Sequence, residues 1–290
     1  MTAAERLRQA LAGPDLLVIP VIGDPLAARL VQRAGLPAAL LGGFGISAMR
    51  FALPDTGLIS FGEVVDQVRN TCTAVPGFPI IADGDTGYGN AMNVRRTVRE
   101  FARAGAACVL IEDQVWPKKC GHLDGQREVI SRAEARMKIR AAVEARADDD
   151  ILVMARTDAR SAIGFDEAMA RCRDFEAEGA DIIFAEALET RDELAAFAGG
   201  FATPTWANMM PKTPETSRAA LRAMGFKVVT YNVLLPAAIH AVRETLAALK
   251  NDDLAAGPPR VTFDEMTDLA GLPEYAALER RYGTATPSKT

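Results

Sequence analysis

The stretch Lys118-Lys119-Cys120-Gly121-His122 sets one thiol among two ammonium groups and an imidazole. Cations and a protonated histidine favour the thiolate, so a cysteine in this company exchanges a proton near neutral pH. Gly121 lets the backbone approach a ligand closely. The stretch follows Val109-Leu-Ile-Glu112-Asp113, which reads as the end of a buried strand, and an earlier strand end carries Asp83-Gly-Asp85. Asp83, Asp85 and Glu112 form a hard-oxygen set without a neighbouring histidine, which suits Mg2+ or Mn2+ and disfavours zinc or copper. Asp55, in Leu53-Pro-Asp-Thr-Gly57, joins that set through water if its loop folds over the mouth. A proton donor opposite a cation site points to an enzyme that makes or quenches a metal-stabilised carbanion.

Other groups fit around this pair. Arg156 ends a buried run and could clamp a carboxylate in bidentate fashion, or pair with Glu112, Asp158 or Glu186. Asn208 could donate to a substrate oxygen or sit as a satisfied amide. Gly42-Gly43, before Phe44, offers backbone N–H groups to an anionic oxygen, although such a pair also serves as a turn. His122 could polarise Cys120 or meet the substrate. The acids could instead cap loops and helix starts. Cys120 as a hydrolase nucleophile lacks a separate His/Asn pair in the sequence. Cys72, Cys108 and Cys172 fall on helix or strand faces and read as small core residues.

These residues need a scaffold that gathers them. Apolar runs at Leu16–Val21, Ala38–Gly43, Phe78–Asp83, Cys108–Asp113, Ile151–Thr157, Asp181–Ala187, Pro204–Met209 and Lys227–Tyr231 read as strands covered on both sides. Helix-period segments lie between them, at Pro25–Ala34, Phe61–Ala74, Asn93–Ala104, Arg132–Arg146, Asp166–Glu178, Thr190–Ala198 and Pro214–Met224. Ser131 with Glu134 marks a helix start, and Gly105, Gly179 and Gly225 mark helix ends. Such alternation in 290 residues predicts a closed (β/α)8 TIM barrel over an open doubly wound sheet. Polar residues then end nearly every strand on one face, where such barrels place catalysis.

The barrel is expected over residues 1–250, with a linker and a C-terminal helical extension over 251–290. The extension carries an apolar stripe (Phe263, Met266, Leu269, Leu272, Tyr275, Leu278, Tyr282) for the outside of the barrel or a neighbouring subunit. A net charge of −5 argues against nucleic acid or an anionic membrane as partner. No apolar run is long enough to span a bilayer, and the first residues lack the apolar stretch of a signal peptide. The unpaired spacing of the cysteines argues against disulfides, so a cytoplasmic protein acting on a small molecule is expected.

The same residues resemble the isocitrate lyase / phosphoenolpyruvate mutase superfamily. The likeness runs through Leu41–Gly45, Leu53–Gly57, Ala82–Asn90, Ile111–Gln114, Pro117–His122, Ala155–Ala159, Phe184–Ala187 and Ala207–Met209, in order. It implies a homotetramer of (β/α)8 barrels whose terminal helix is exchanged between subunits. It also implies Mg2+ around Asp83 and Asp85, with Asp55 and Glu112 in the shell. Substrate contacts fall to Gly42, Gly43, Phe44, Gly121, Arg156, Glu186 and Asn208. Residues 114–126 would be a gate bearing Cys120 as proton donor, tuned by Lys118 and His122, with Glu186 helping to deprotonate a hydroxyl. The implied reaction is Mg2+-dependent carbon–carbon cleavage of a small 2-hydroxy or 2-oxo di- or tricarboxylate, methylisocitrate-like or dimethylmalate-like. The alternatives are an oxaloacetate-type C–C hydrolase and a phosphonomutase acting on carboxyphosphonoenolpyruvate or phosphoenolpyruvate. Departures from the family pattern at Gly42, Gly23-Asp24, Met210–Pro214 and Tyr231-Asn232 fall on the substrate side and leave the substrate open.

Overall fold

The computed structural model describes residues 1–120, 127–255 and 257–283. Eight strands close into one parallel barrel: β1 (Leu17–Ile22), β2 (Ala39–Leu41), β3 (Ile80–Asp83), β4 (Cys108–Glu112), β5 (Leu152–Thr157), β6 (Ile182–Ala185), β7 (Thr205–Met209) and β8 (Val228–Tyr231). Each pairs with the next, and β8 returns to β1 from Leu17↔Val228 to Pro20↔Tyr231. The expected (β/α)8 barrel is thus the fold, with each strand within a few residues of its expected bounds.

The strands alternate more than their apolar composition suggests. On β4, Cys108 and Leu110 face the barrel interior while Val109 and Ile111 join the outer core under the helices. The same period sends Met154, Phe184 and Trp206 inward. One step further along each strand the inward residue is Glu112, Arg156, Glu186 or Asn208, all lining one cavity. A side-chain period of two, combined with parallel register, therefore places the polar groups in one layer above an apolar one.

Helices α1 (Ala3–Ala12), α2 (Pro25–Arg33), α3 (Gly43–Phe51), α4 (Phe61–Ala74), α5 (Ala91–Arg103), α6 (Arg132–Ala145), α7 (Ala159–Ala162), α8 (Phe165–Ala177), α9 (Arg191–Ala198) and α10 (Arg218–Met224) alternate with the strands. Local chemistry starts and stops them. Ser131 accepts from the Glu134 amide at the start of α6, and Gly105, Gly179 and Gly225 take left-handed φ values of 97°, 88° and 104° after α5, α8 and α10.

Three local features depart from expectation. Helix α1 was not expected; Thr2 and Glu5 cap it reciprocally, and its buried Ala4 and Leu7 join the barrel's interior cluster. Helix α3 begins at Gly43, where the Gly-rich run reads as a turn because glycine is a poor helix former. Helix α10 starts at Arg218 rather than near Pro214, because the Ser217 hydroxyl caps it there.

Two compact units divide the chain, Met1–Leu235 and Pro236–Thr290. The second holds most of α11 (Leu234–Lys250), with α12 (Phe263–Leu269) and α13 (Leu272–Tyr282). No residue of α12 or α13 is buried, and Phe263, Tyr275 and Tyr282 are 72%, 63% and 67% exposed. Among the described residues no helix is long and apolar enough to cross a membrane.

Candidate active site

The cavity at the C-terminal ends of the strands gathers Gly42, Gly43, Phe44, Asp55, Asp83, Glu112, Lys118, Cys120, Arg156, Glu186 and Asn208. Asp85 meets it through Lys118. Gly121 and His122 lie outside the described residues.

The acidic wall is built from β3 and the turn after it. Asp83 Oδ1 accepts from the Asp85 amide at 3.1 Å, and its Oδ2 accepts from the Gly43 amide at 3.0 Å. Asp85 takes the left-handed region at φ 46°, a conformation aspartate tolerates better than most residues. Tyr88 donates to Asp85 Oδ2 at 3.4 Å. A Cβ on Gly43 would stand 3.2 Å from both Asp83 Oδ2 and Asp85 Oδ1 and 3.3 Å from Lys118 Nζ, so only glycine leaves this corner open. Both Gly42 and Gly43 amide hydrogens, expected to face a ligand oxygen, are taken up inside the protein, by Ile22 O and Asp83.

Lys118 is the cation of this wall. Its ammonium lies 2.6 Å from Asp55 Oδ1 and 2.8 Å from Asp85 Oδ1, and all three side chains are buried. Burial works against its charge, but Asp85, Asp55, Asp83 and Glu112 outweigh that and hold the ammonium well above its ordinary range. Burial raises Asp85 to about 6 against the pull of Lys118, with Asp83 and Asp55 adding repulsion. Lys118, expected to tune the Cys120 thiol, spends its charge on the acids.

Opposite stands Arg156, whose guanidinium meets all three carboxylates that competed for it. Its Nε and Nη2 donate to Asp158 at 2.9 Å each, Nη1 lies 3.4 Å from Glu112, and Nη2 lies 3.2 Å from Glu186. Burial opposes the charge, yet these acids keep it well above its usual range. Glu112 is pushed well above the carboxylate range, first by burial and against the pull of Arg156. Asn208 donates to Glu186 at 3.2 Å, and Glu186 also accepts from the Ala187 amide at 3.0 Å. Asp113, next to Glu112, points the other way: it accepts from Thr157, the Asp158 amide and Arg171, bracing the end of β5.

Cys120 lines the same cavity. Its amide donates to Asp55 O at 3.2 Å, and its carbonyl accepts from Arg127 at 3.1 and 3.3 Å. Gln114 holds the preceding residue at both ends, accepting from Lys119 N and donating to Lys119 O at 2.9 Å each. The other cysteines are buried, and burial pushes the Cys72 thiol up to about 12 and Cys108 and Cys172 well above their usual range. Asn232, just after β8, lines the same cavity, whereas the sequence gives no individual role to Gln114, Arg127, Tyr88 or Trp206. The inward period of β7, two positions before Asn208, was the available signal for Trp206.

The donor set fits a hard cation. Glu112 Oε1 is buried without a hydrogen-bond partner among the described residues, and Asp83 lines the same cavity. No three acids, cysteines or histidines among the described residues cage an ion alone. Mg2+ does not need that, because it keeps several waters and takes one or two direct carboxylates.

Known proteins resemble this chain in sequence and fold. The family model for phosphoenolpyruvate phosphomutase matches residues 7–250. The chain is 41% identical to 2,3-dimethylmalate lyase of Eubacterium barkeri, covering 98% of this chain and 99% of that one. It is 41% identical to 2-methylisocitrate lyase of Aeropyrum pernix, covering 93% and 87%. A structure of oxaloacetate acetylhydrolase with the inhibitor 3,3-difluorooxalacetate superposes with a TM-score of 0.93 at 31% identity, covering 98% of each chain.

Proposed function

Because the chain belongs to the phosphoenolpyruvate phosphomutase family, within the isocitrate lyase superfamily, we propose that it is a Mg2+-dependent carbon–carbon lyase of small 2-hydroxy diacids of the dimethylmalate type. The observation that carries this reading is a thiol-bearing gate residue, Cys120, on the same cavity as Arg156, Glu186 and Asn208. Identity to 2,3-dimethylmalate lyase across nearly the whole chain supports the substrate class.

Each residue has a role in that reaction. Arg156, charged and fixed by its acids, orients a substrate carboxylate. Glu186, held by Asn208, takes the proton of the 2-hydroxyl. The C2–C3 bond then breaks, the hydroxyl oxygen becomes the carbonyl of a 2-oxo acid, and the bonding pair passes to the other fragment as an enediolate. Cys120 returns a proton to that carbon and leaves a saturated acid. Asp83 and Asp85, with Asp55 and Glu112 around them, would hold Mg2+, which when bound supplies positive charge against developing oxyanions. The exposed stripe on α12 and α13 suits subunit exchange in a homotetramer.

A panel of 2-hydroxy and 2-oxo diacids, incubated with Mg2+ and followed by mass, tests the reading. A 2-oxo acid plus a saturated acid supports it; two simple acids from oxaloacetate would replace it with the hydrolase, which the superposition on oxaloacetate acetylhydrolase favours as second reading.

A further inference from the structure

We propose that the indole N–H of Trp206 is a substrate-binding donor, meeting an oxygen of the bound acid at the floor of the cavity. This deepens the carboxylic-acid reading above and rests on it. Trp206 lies two positions before Asn208 on β7, so strand alternation sends both inward, and its ring lines the same cavity as Asn208, Glu186 and Arg156. The residue is 1% exposed. Its ring lies 6.4 Å from that of Phe184, and Phe184 carries the Arg156 guanidinium 5.4 Å from its centroid.

The polar atom of this ring, Nε1, is buried without a hydrogen-bond partner among the described residues. Buried indole N–H groups usually find an acceptor, because an unmade bond keeps the full cost of desolvation. Of the donors around the cavity, Lys118 is engaged with Asp55 and Asp85, Arg156 with Glu112, Asp158 and Glu186, and the Gly43 amide with Asp83. An unfilled donor on a residue that lines such a cavity is completed when the ligand settles and brings an acceptor to it. A carboxylic acid brings several.

Two indole signals are expected from 15N-tryptophan-labelled protein, because the chain holds two tryptophans, and the Trp116→Phe variant assigns them. The probe is 3,3-difluorooxaloacetate with Mg2+, titrated by nuclear magnetic resonance and by calorimetry. The Trp206 indole proton should move downfield on binding. Trp206→Phe, which keeps a ring but drops the donor, should weaken the probe about tenfold while leaving the unliganded protein at least as stable to heat. A Trp206 signal that stays still while calorimetry reports binding overturns the assignment and leaves the carboxylic-acid reading standing. So does a Trp206→Phe variant of unchanged affinity. Failure of the wild-type protein to bind the probe overturns both. If Trp206→Phe does not fold, the wild-type indole shift decides alone.

Discussion

Asp55 holds Lys118 and Cys120 together: its carboxylate lies 2.6 Å from the Lys118 ammonium, and its carbonyl accepts from the Cys120 amide at 3.2 Å. One residue on the loop between α3 and α4 thus positions both the cation of the acidic wall and the backbone of Cys120. Breaking a buried ion pair by removing one partner costs about 3–5 kcal/mol. Asp55→Ala should therefore release this segment. The expected outcome is a loss of turnover of about 100-fold with faster alkylation of Cys120 by iodoacetamide, followed by mass. An unchanged alkylation rate would show that the Asp55 carboxylate does not hold this segment in place.

Cys120→Ser keeps the size of the side chain but replaces the thiol with a far weaker acid. Turnover should fall by about 10²- to 10⁴-fold, the usual span for a lost general acid, while the affinity for a non-reacting diacid stays within a few-fold. Turnover at the wild-type rate would remove the thiol from the reaction.

Gly43→Ala tests the open corner. Its methyl group would crowd Asp83 Oδ2 and Asp85 Oδ1 at 3.2 Å each, turning both carboxylates from a shared ion. Mg2+ affinity by calorimetry should drop by about 10- to 100-fold, the range for disturbed outer-shell positions, with circular dichroism unchanged. Undiminished Mg2+ affinity would move the cation site elsewhere.

Acid stability has a separate source on the outer helices. Arg140 and Arg136 bind Glu178 and hold its carboxyl down at about 2, against an ordinary 4.5. A depressed folded-state value stabilises above the unfolded value, and this contribution fades as pH falls from about 4.5 to about 2. The Arg136 and Arg140 side chains are 48% and 45% exposed, so solvent screening leaves only about 1 kcal/mol. Glu178→Gln should lower stability to urea by that amount at pH 7, with the difference vanishing near pH 2. A constant difference across that window would assign the effect to packing.

The chain's own order of residues determined the barrel, because parallel strands and their helices carry local periodicities and end at caps and glycines that need no distant partner. Asp83–Asn90 and Lys118–Cys120 were legible for the same reason: acids and a thiol stand close together in the chain. Helix α1 is less legible in the sequence, because the cluster it joins with Leu17 and Ile19 inside the barrel exists only after closure. Tertiary structure alone decided where the charges are spent. Lys118 and Cys120 are near neighbours in the chain, yet the ammonium turns to Asp55 and Asp85 while the backbone of Cys120 is tied to Asp55 and Arg127. Arg156 meets Glu112, Asp158 and Glu186 together because register brings β4, β5 and β6 to one level. Coulomb interactions act through space, and chain order does not measure that distance.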